Sequence, residues 1–541
     1  LIWLLRDFDL LAVLLHAASL SLEALLLGGI AFLLVAARPA VLSKESFGAC
    51  CRLMRWSAFA LAVIEAVTIS VNSASMMAGS SMGWRDLLSA SFLHAEALTI
   101  LLALILGLLV RFLNRDSRRL MEISIVIPGM AMLGSIVYLS HATSQMNHRL
   151  LLAVFTALHH LGTVAWLGAM PYLILTVRND DDPGRIARVT RRYSSMALIS
   201  VVVLVAAGIG MAWFYVGSPA GLYGTSYGLM LLAKIYLLGL MLTLGAGNWY
   251  LLRSSGHLPA LLLLRLRRFS EAEIGLGCMV LLAAASLTAQ TPSAEVMRQD
   301  MVSAHDYRVQ MAPQWPRLSS PPVRALTPPS SMREGVEAHQ FGEGSVDDAN
   351  DKAWSDYNHH WAGLMVLAAG LLALLSSFAD RWRFLRWARH WPLTFAGLAF
   401  FIVLRADPEA WPLGPRPFWA SFSYPDVLEH RVEALLIVGF AAFEASVQAG
   451  RLRQWASMVF PLICAFGAAL LLTHSHGFGD GAAEVFAEAS HTLIAVLGAT
   501  VAWARWLQLR LAPGRPQRIA GMVWPVALIL VSMVLLNYRE V

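Results

Sequence analysis

The chain has 16 histidines, and most of them fall in one layer relative to the apolar runs. His16, His94, His141, His159 and His160 stand near one side of the predicted bundle, and His359, His360, His430, His474, His476 and His491 repeat the arrangement further along. Successive intervals agree: 78 residues from His16 to His94 against 70 from His360 to His430, then 47 against 44, then 18 from His141 to His159 against 17 from His474 to His491. Imidazole suits copper, zinc, iron or haem, so four helices each offering one at equal depth could hold an ion or bracket a cofactor. The bland alternative is that interfacial histidines only hydrogen-bond headgroups and helix ends. Repetition weighs against it, because desolvating several imidazoles at one depth costs free energy unless they are paired or coordinated. Neighbours on a helix differ by about 100°, so spacing does not say which of His159 and His160, or of His359 and His360, turns inward.

Soft ligands share the side of the histidines. Met76, Met77 and Met82 lie in SASMMAGSSM, and a long polar stretch adds Met297, Met301, His305, Met311, Met332 and His339. Thioether with imidazole favours copper, Cu(I) above all but also Cu(II), over zinc or magnesium, although methionine is common in apolar proteins generally. Fewer charged or amide groups fall inside apolar runs: Glu23, Glu65, Glu96, Lys234, Asn248, Arg431, Glu433 and Glu444. Glu65 and Lys234 are candidates for an ion path, or these groups form buried structural pairs. Glu96 and Glu433 follow a histidine by two or three residues, close enough to orient its ring.

The elements that must position these groups follow from composition. Of 541 residues, 57% are hydrophobic and only 14% charged, far from the roughly 25% charged of soluble domains. Apolar runs of about 20 residues recur, each long enough to cross a bilayer as a helix. They predict helices at 8–37, 56–77, 88–110, 121–141, 150–177, 194–216, 226–252, 272–290, 357–379, 391–405, 427–449, 455–474, 485–508 and 519–537. The fold class is all-α, a polytopic transmembrane bundle of about 14 helices. Residues 1–290 make a domain of about eight, residues 291–356 a Pro- and Ser-rich loop or cap, and residues 357–541 a domain of about six.

Arginine and lysine test this topology, since cytoplasmic loops collect them. Of the 41 basic residues, 27 fall in alternate loops on one side, five in the short segments opposite and six in the long loop. The histidine layer is then on the outer side, the termini are outside, and the +6 charge reflects topology rather than a nucleic-acid surface. The opening LIWLLRDFDL lacks the basic start of a signal peptide, so the first apolar run reads as a retained helix. Cys50, Cys51, Cys278 and Cys464 are too scattered for a disulfide framework. No nucleotide-binding, G-x-S-x-G or H-E-x-x-H motif appears, so neither ATP-driven pumping nor an enzyme is indicated.

Local sequence agrees with the intervals. FLHAEAL at 92–98 answers LEHRVEAL at 428–435, LSHATS at 139–144 answers LLTHSHGFG at 471–479, and LHHLGTVAWLG answers ASHTLIAVLGA. The pattern reads as a five-helix, histidine-bearing unit used twice in parallel. The stretch from LSHATS through LHHLGTVAWLG, with RRYSSMALISVVVLVAAGIGMAW at 191–213 and SYGLMLLAKIYLLGLMLTLGAGNWYL at 226–251, resembles the CopD family of bacterial copper resistance proteins. The resemblance implies a multi-pass inner-membrane protein that moves copper from periplasm toward cytoplasm beside a periplasmic carrier of the CopC type. It points to His141 and to His159 or His160 as ligands and to Lys234 as a family position. A b-type haem protein with paired axial histidines is the competing reading, and a copper-binding scaffold without transport is a third. Haem accounts less well for the methionines and for an inner side that holds only His257 and His390.

Overall fold

The computed structural model describes residues 8–38, 41–79, 83–114, 123–140, 148–254, 260–323, 326, 346–379, 381–408, 410–415, 417–422, 425–473 and 482–540. Among these residues there is no strand, and the chain is built of helices. The long ones are α1 (Phe8–Ala31, continued by a π-helical turn Phe32–Ala36), α2 (Lys44–Gly79), α3 (Ser91–Phe112), α4 (Val126–Leu139) and α5 (Arg149–Asn179, interrupted by a π-helical turn at Val164–Gly168). They continue with α6 (Pro183–Tyr215), α7 (Ser226–Ser254), α8 (Ala260–Thr288), α9 (Val346–Ser376) and α10 (Leu393–Arg405). The last are α11 (Pro425–Gln448), α12 (Val459–Thr473), α13 (Ala482–Arg510) and α14 (Arg515–Leu536).

Each run read from hydropathy is a helix, but several helices are longer. Helix α2 begins at Lys44, α6 at Pro183 and α9 at Val346, well before their apolar stretches. Charged end turns leave the hydrocarbon without leaving the helix, and an apolar window is blind to them. Among the described residues 12 helices are long and apolar enough to cross a membrane. Two expected spans fall outside that set. Helix α4 has 14 residues, about 21 Å of rise against a core of about 30 Å. Helix α11 carries Asp426, Glu429, Arg431, Glu433 and Glu444, too many charges for an ordinary span.

The backbone divides into two compact units, Leu1–Gln299 with Leu472–Gly477 and Asp300–Leu471 with Phe478–Val541. In the first, α1 packs on α2, on the π-helical turn of α5 and on α8; α2 packs on α3, α5 on α6 and α7 on α8. The contact of α1 with α5 is a close approach of two backbones. A Cβ on Gly168 would stand 1.9 Å from the Ala24 carbonyl oxygen, and one on Gly28 would stand 2.1 Å from the Gly168 carbonyl carbon. Ala24 and Gly28 are one turn apart, so small residues four apart let the helices touch, as in membrane helix pairs generally. The second unit packs α14 between α9 and α13 and α10 on α11. An aromatic core of Trp391, Phe460 and Trp524 holds it, with the two tryptophan rings 5.4 Å apart.

Candidate metal centre

The glycine contact between α1 and α5 decides what stands near the paired histidines of the first unit. His159 and His160 are both half-buried in α5, in the last turns before the π-helical segment. The Nδ1–H of His159 donates to the Leu204 carbonyl on α6 at 3.1 Å. That bond fixes the tautomer and leaves the Nε2 lone pair as the ligating atom, the usual arrangement of metal-binding histidine. His160 is within electrostatic range of His16 on α1, and both histidines of the pair are within range of Lys234 on α7. Helices α1, α5 and α7 thus bring His16, His159, His160 and Lys234 into one neighbourhood. Among the described residues no three His, Cys, Asp or Glu side chains form a ready-made metal cage.

Beneath His16 the same face of α1 carries Ser19 and Glu23, three and seven residues on. The Ser19 hydroxyl donates to Glu65 of α2. Glu65 lies in Coulombic range of both Glu23 and Glu96, and Glu96 of α3 is hydrogen-bonded to Asn72. Glu23, Glu65 and Glu96 are only 6%, 6% and 8% exposed. Deeper in the unit, the Asn248 amide of α7 donates to Glu273 of α8 at 2.8 Å.

In the second unit the adjacent pair on α9 is resolved differently. His360 is buried with both ring nitrogens engaged: the Arg317 backbone N–H donates to Nδ1 at 2.7 Å, and Nε2–H donates to the Tyr538 carbonyl at 3.0 Å. This histidine ties the segment around Arg317 and the C-terminal segment to α9. His359 donates Nδ1–H to the Ser355 carbonyl at 2.9 Å and stacks on Tyr538, which leaves its Nε2 lone pair outward from the bond. His430 of α11 pairs through Nδ1 with Asp407 at 2.6 Å, and Arg431 holds the other oxygen of Asp407 at 4.0 Å. His491 is half-buried on α13, one turn from buried Glu488.

The remaining sequence candidates are dispersed. His94 is exposed on α3, Met76 is exposed and Met77 half-buried at the end of α2. His141, His474, His476 and Met82 lie outside the described residues. The carboxylate beside His430 is Asp407, while Glu433 is exposed. Sequence reading missed Ser19, Asn72, Glu273, Asp407 and Glu488. Ser19 and Asn72 were findable, at i+3 from His16 and i+7 from Glu65, whereas Asp407 sits between two helices where no periodicity marks it. Arg505, counted as a topology marker, is instead 8% exposed beside Glu444.

Comparison with known proteins places this geometry. Residues 187–287, which span most of α6 and all of α7 and nearly all of α8, match the family model for Copper resistance protein D, CopD. The Copper transport protein CutJ of Bacillus subtilis (strain 168) is 31% identical over 134 residues, which is 24% of this chain and 24% of that protein. The match therefore spans about a quarter of either chain. No solved structure matches. Leu204, which orients His159, and Lys234 both fall inside the matched region, and over residues 187–287 the chain is similar to CopD as the sequence resemblance implies.

Proposed function

We propose that this chain is a copper-binding inner-membrane protein that takes copper on the outer side and passes it inward, with His159 and His160 as the entry ligands and His16 as their neighbour. The observation that carries the reading is the bond from His159 Nδ1–H to the Leu204 carbonyl, because the CopD segment's own backbone presents the Nε2 lone pair. Cu(I) is soft and accepts few ligands, so a pair of imidazoles suffices, with thioethers at Met76, Met77 and Met82 as a relay. His359 is the matching ligand of the second unit, with His430 and His491 nearby on the chain's other candidate helices. His141, His474, His476 and His94 complete the proposed outer set. Delivery falls to a separate periplasmic carrier of the CopC type, and the termini face the same side.

Metal analysis and an absorption spectrum of the purified full chain test this. Stoichiometric copper is expected, falling by at least one equivalent in His159→Ala/His160→Ala, with uptake into liposomes reduced about tenfold or more. A Soret band in the protein as purified sinks the reading in favour of haem b. Copper uptake that survives loss of both histidines refutes the site assignment.

A further inference from the structure

The carboxyl cluster under His16 has no part in holding a soft ion, yet three helices converge to build it. Glu23, Glu65 and Glu96 are each more than nine-tenths buried on α1, α2 and α3. Among the described residues none of them is paired with lysine or arginine. Glu96 Oε2 has no hydrogen-bond partner at all, and Ser73 Oγ on α2 is equally orphaned. Carboxylates cannot all stay charged in such a place, and uncompensated acids inside membrane helices are candidates for ion paths and proton relays.

Among the described residues, other elements packed around the cluster form no ion pair with it. Helix α4 contributes Ser135, bonded to Thr99 and to the Ala95 carbonyl of α3. Helix α5 offers His159 and His160 toward one end and, toward the other, Tyr172, whose hydroxyl is held by the Leu25 carbonyl. Helix α8 has no Asp, Glu, Lys, Arg or His after Glu273. The face of α1 that runs from His16 through Ser19 to Glu23 joins the histidine site to the cluster, about 10 Å along the axis, and on α3 the exposed His94 stands two residues before Glu96.

We propose that Glu23 and Glu65 form a proton site linked to the copper site, such that a copper ion bound by the histidines displaces a proton from this pair. The inference rests on the copper reading above. Its charge balance is simple: Cu(I) arrives with one positive charge, a carboxyl O–H bond breaks, and the proton leaves to solvent. The resulting carboxylate keeps the Ser19 hydroxyl as donor. No oxidant or reductant takes part in the step.

Proton release during anaerobic Cu(I) titration of the purified full chain in weak buffer tests the linkage. Wild-type protein is expected to release about one proton per copper, and its copper affinity to change about tenfold per pH unit. In Glu65→Gln and in Glu23→Gln the release is expected to fall below about a third of that, with copper stoichiometry unchanged. The histidines are the same in all three proteins, so any proton they lose cancels in the comparison. Equal release in the Gln variants overturns the proposal, as does copper binding by the wild-type chain with no proton release and a flat pH dependence. Loss of copper binding in both variants also overturns the proposal, because the pair would then serve the copper site itself rather than a proton linked to it. A wild-type chain that binds no copper overturns the copper reading and the linkage together.

Discussion

Glu65 and Glu96 of the first unit meet a hydroxyl and an amide, whereas Asp407 and Glu444 of the second lie against Arg431 and Arg505. The paired histidines differ in the same sense. In the first unit His159 is turned by one carbonyl and retains a lone pair; in the second, His360 spends both nitrogens on backbone groups. Asp407 and Glu444 thus bury their charge beside an arginine, whereas among the described residues Glu23, Glu65 and Glu96 bury theirs without one, as Glu488 of the second unit also does. A compensated group stabilises or specifies a fold, and an uncompensated one is available to an ion or a proton. The first unit, which contains the residues similar to CopD, is accordingly the place to look for ion and proton chemistry, and the arginine-paired carboxylates of the second read as bracing.

The sharpest way to break this comparison is to remove one arginine. Arg505 reaches Glu444 at 3.8 Å, donates to Gln508 at 2.6 Å and lies over the Trp524 ring, while the Glu444 side chain has no exposure. Arg505→Met leaves that carboxylate buried without its partner, and a loss of about 3–5 kcal/mol is expected, measured as thermal stability in detergent. Adding Glu444→Met should restore most of it, since replacing both charges by apolar groups is often neutral. Glu65→Gln is expected to change stability by less than about 1 kcal/mol, because no ion pair is lost. Equal losses from Arg505→Met and Glu65→Gln would erase the distinction between the units.

His360 offers a smaller test. Replacing it with leucine removes the bonds from the Arg317 N–H and to the Tyr538 carbonyl, both only partly buried, at about 1 kcal/mol each. Hydrogen exchange should rise along 537–540, where Arg539 also holds the Val309 and Ala312 carbonyls, while the copper content assigned to the first unit stays constant. His159→Ala should do the reverse. If His360→Leu removes copper and leaves the C-terminal segment protected, His360 is a ligand and the contrast between the two pairs fails.

How far these differences are visible before the fold is known depends on the kind of information involved. Helix placement was legible, because about 20 apolar residues can do little else in a bilayer. Glu65 and Lys234 stood out too, since an ionisable group in an apolar run is conspicuous, and the structure buries Glu65 against Ser19 and sets Lys234 within electrostatic range of His159 and His160. The choice within His159/His160 and His359/His360 was not, because it turns on a carbonyl of another helix and on residues 317 and 538, far away in the chain. Arg505 misled for a related reason: an arginine near a helix end looks the same in sequence whether it snorkels to water or folds back onto a buried glutamate. Asp407 pairs with a histidine 23 residues on, at a spacing that no helical or strand period encodes.

The smallest effect expected lies outside the membrane, where the units should stop differing. Asp182 precedes α6 in the first unit and accepts from the Gly184 N–H at 2.9 Å and the Arg185 N–H at 3.3 Å. Asp306 of the second unit closes a capping box, with the Ser303 N–H donating to it at 2.9 Å. The Arg185 and Gly184 amides hold the Asp182 carboxyl below the usual aspartate range, and the Ser303 hydroxyl and amide do the same for Asp306. A carboxyl whose folded value is depressed contributes stability that is complete above its unfolded value of about 4 and disappears as pH falls through the folded one. Protection of the Gly184 and Ser303 amides, corrected for intrinsic exchange, should therefore weaken together below about pH 4. Asp182→Asn should keep the cap at Gly184 and abolish its pH dependence, because asparagine caps equally well without a titrating group. Both caps are exposed, so solvent screens them alike and neither unit's interior enters. A pH response at one cap and not at the other would show that the contrast between the units extends beyond buried groups, and would undo the assignment of its cause to desolvation.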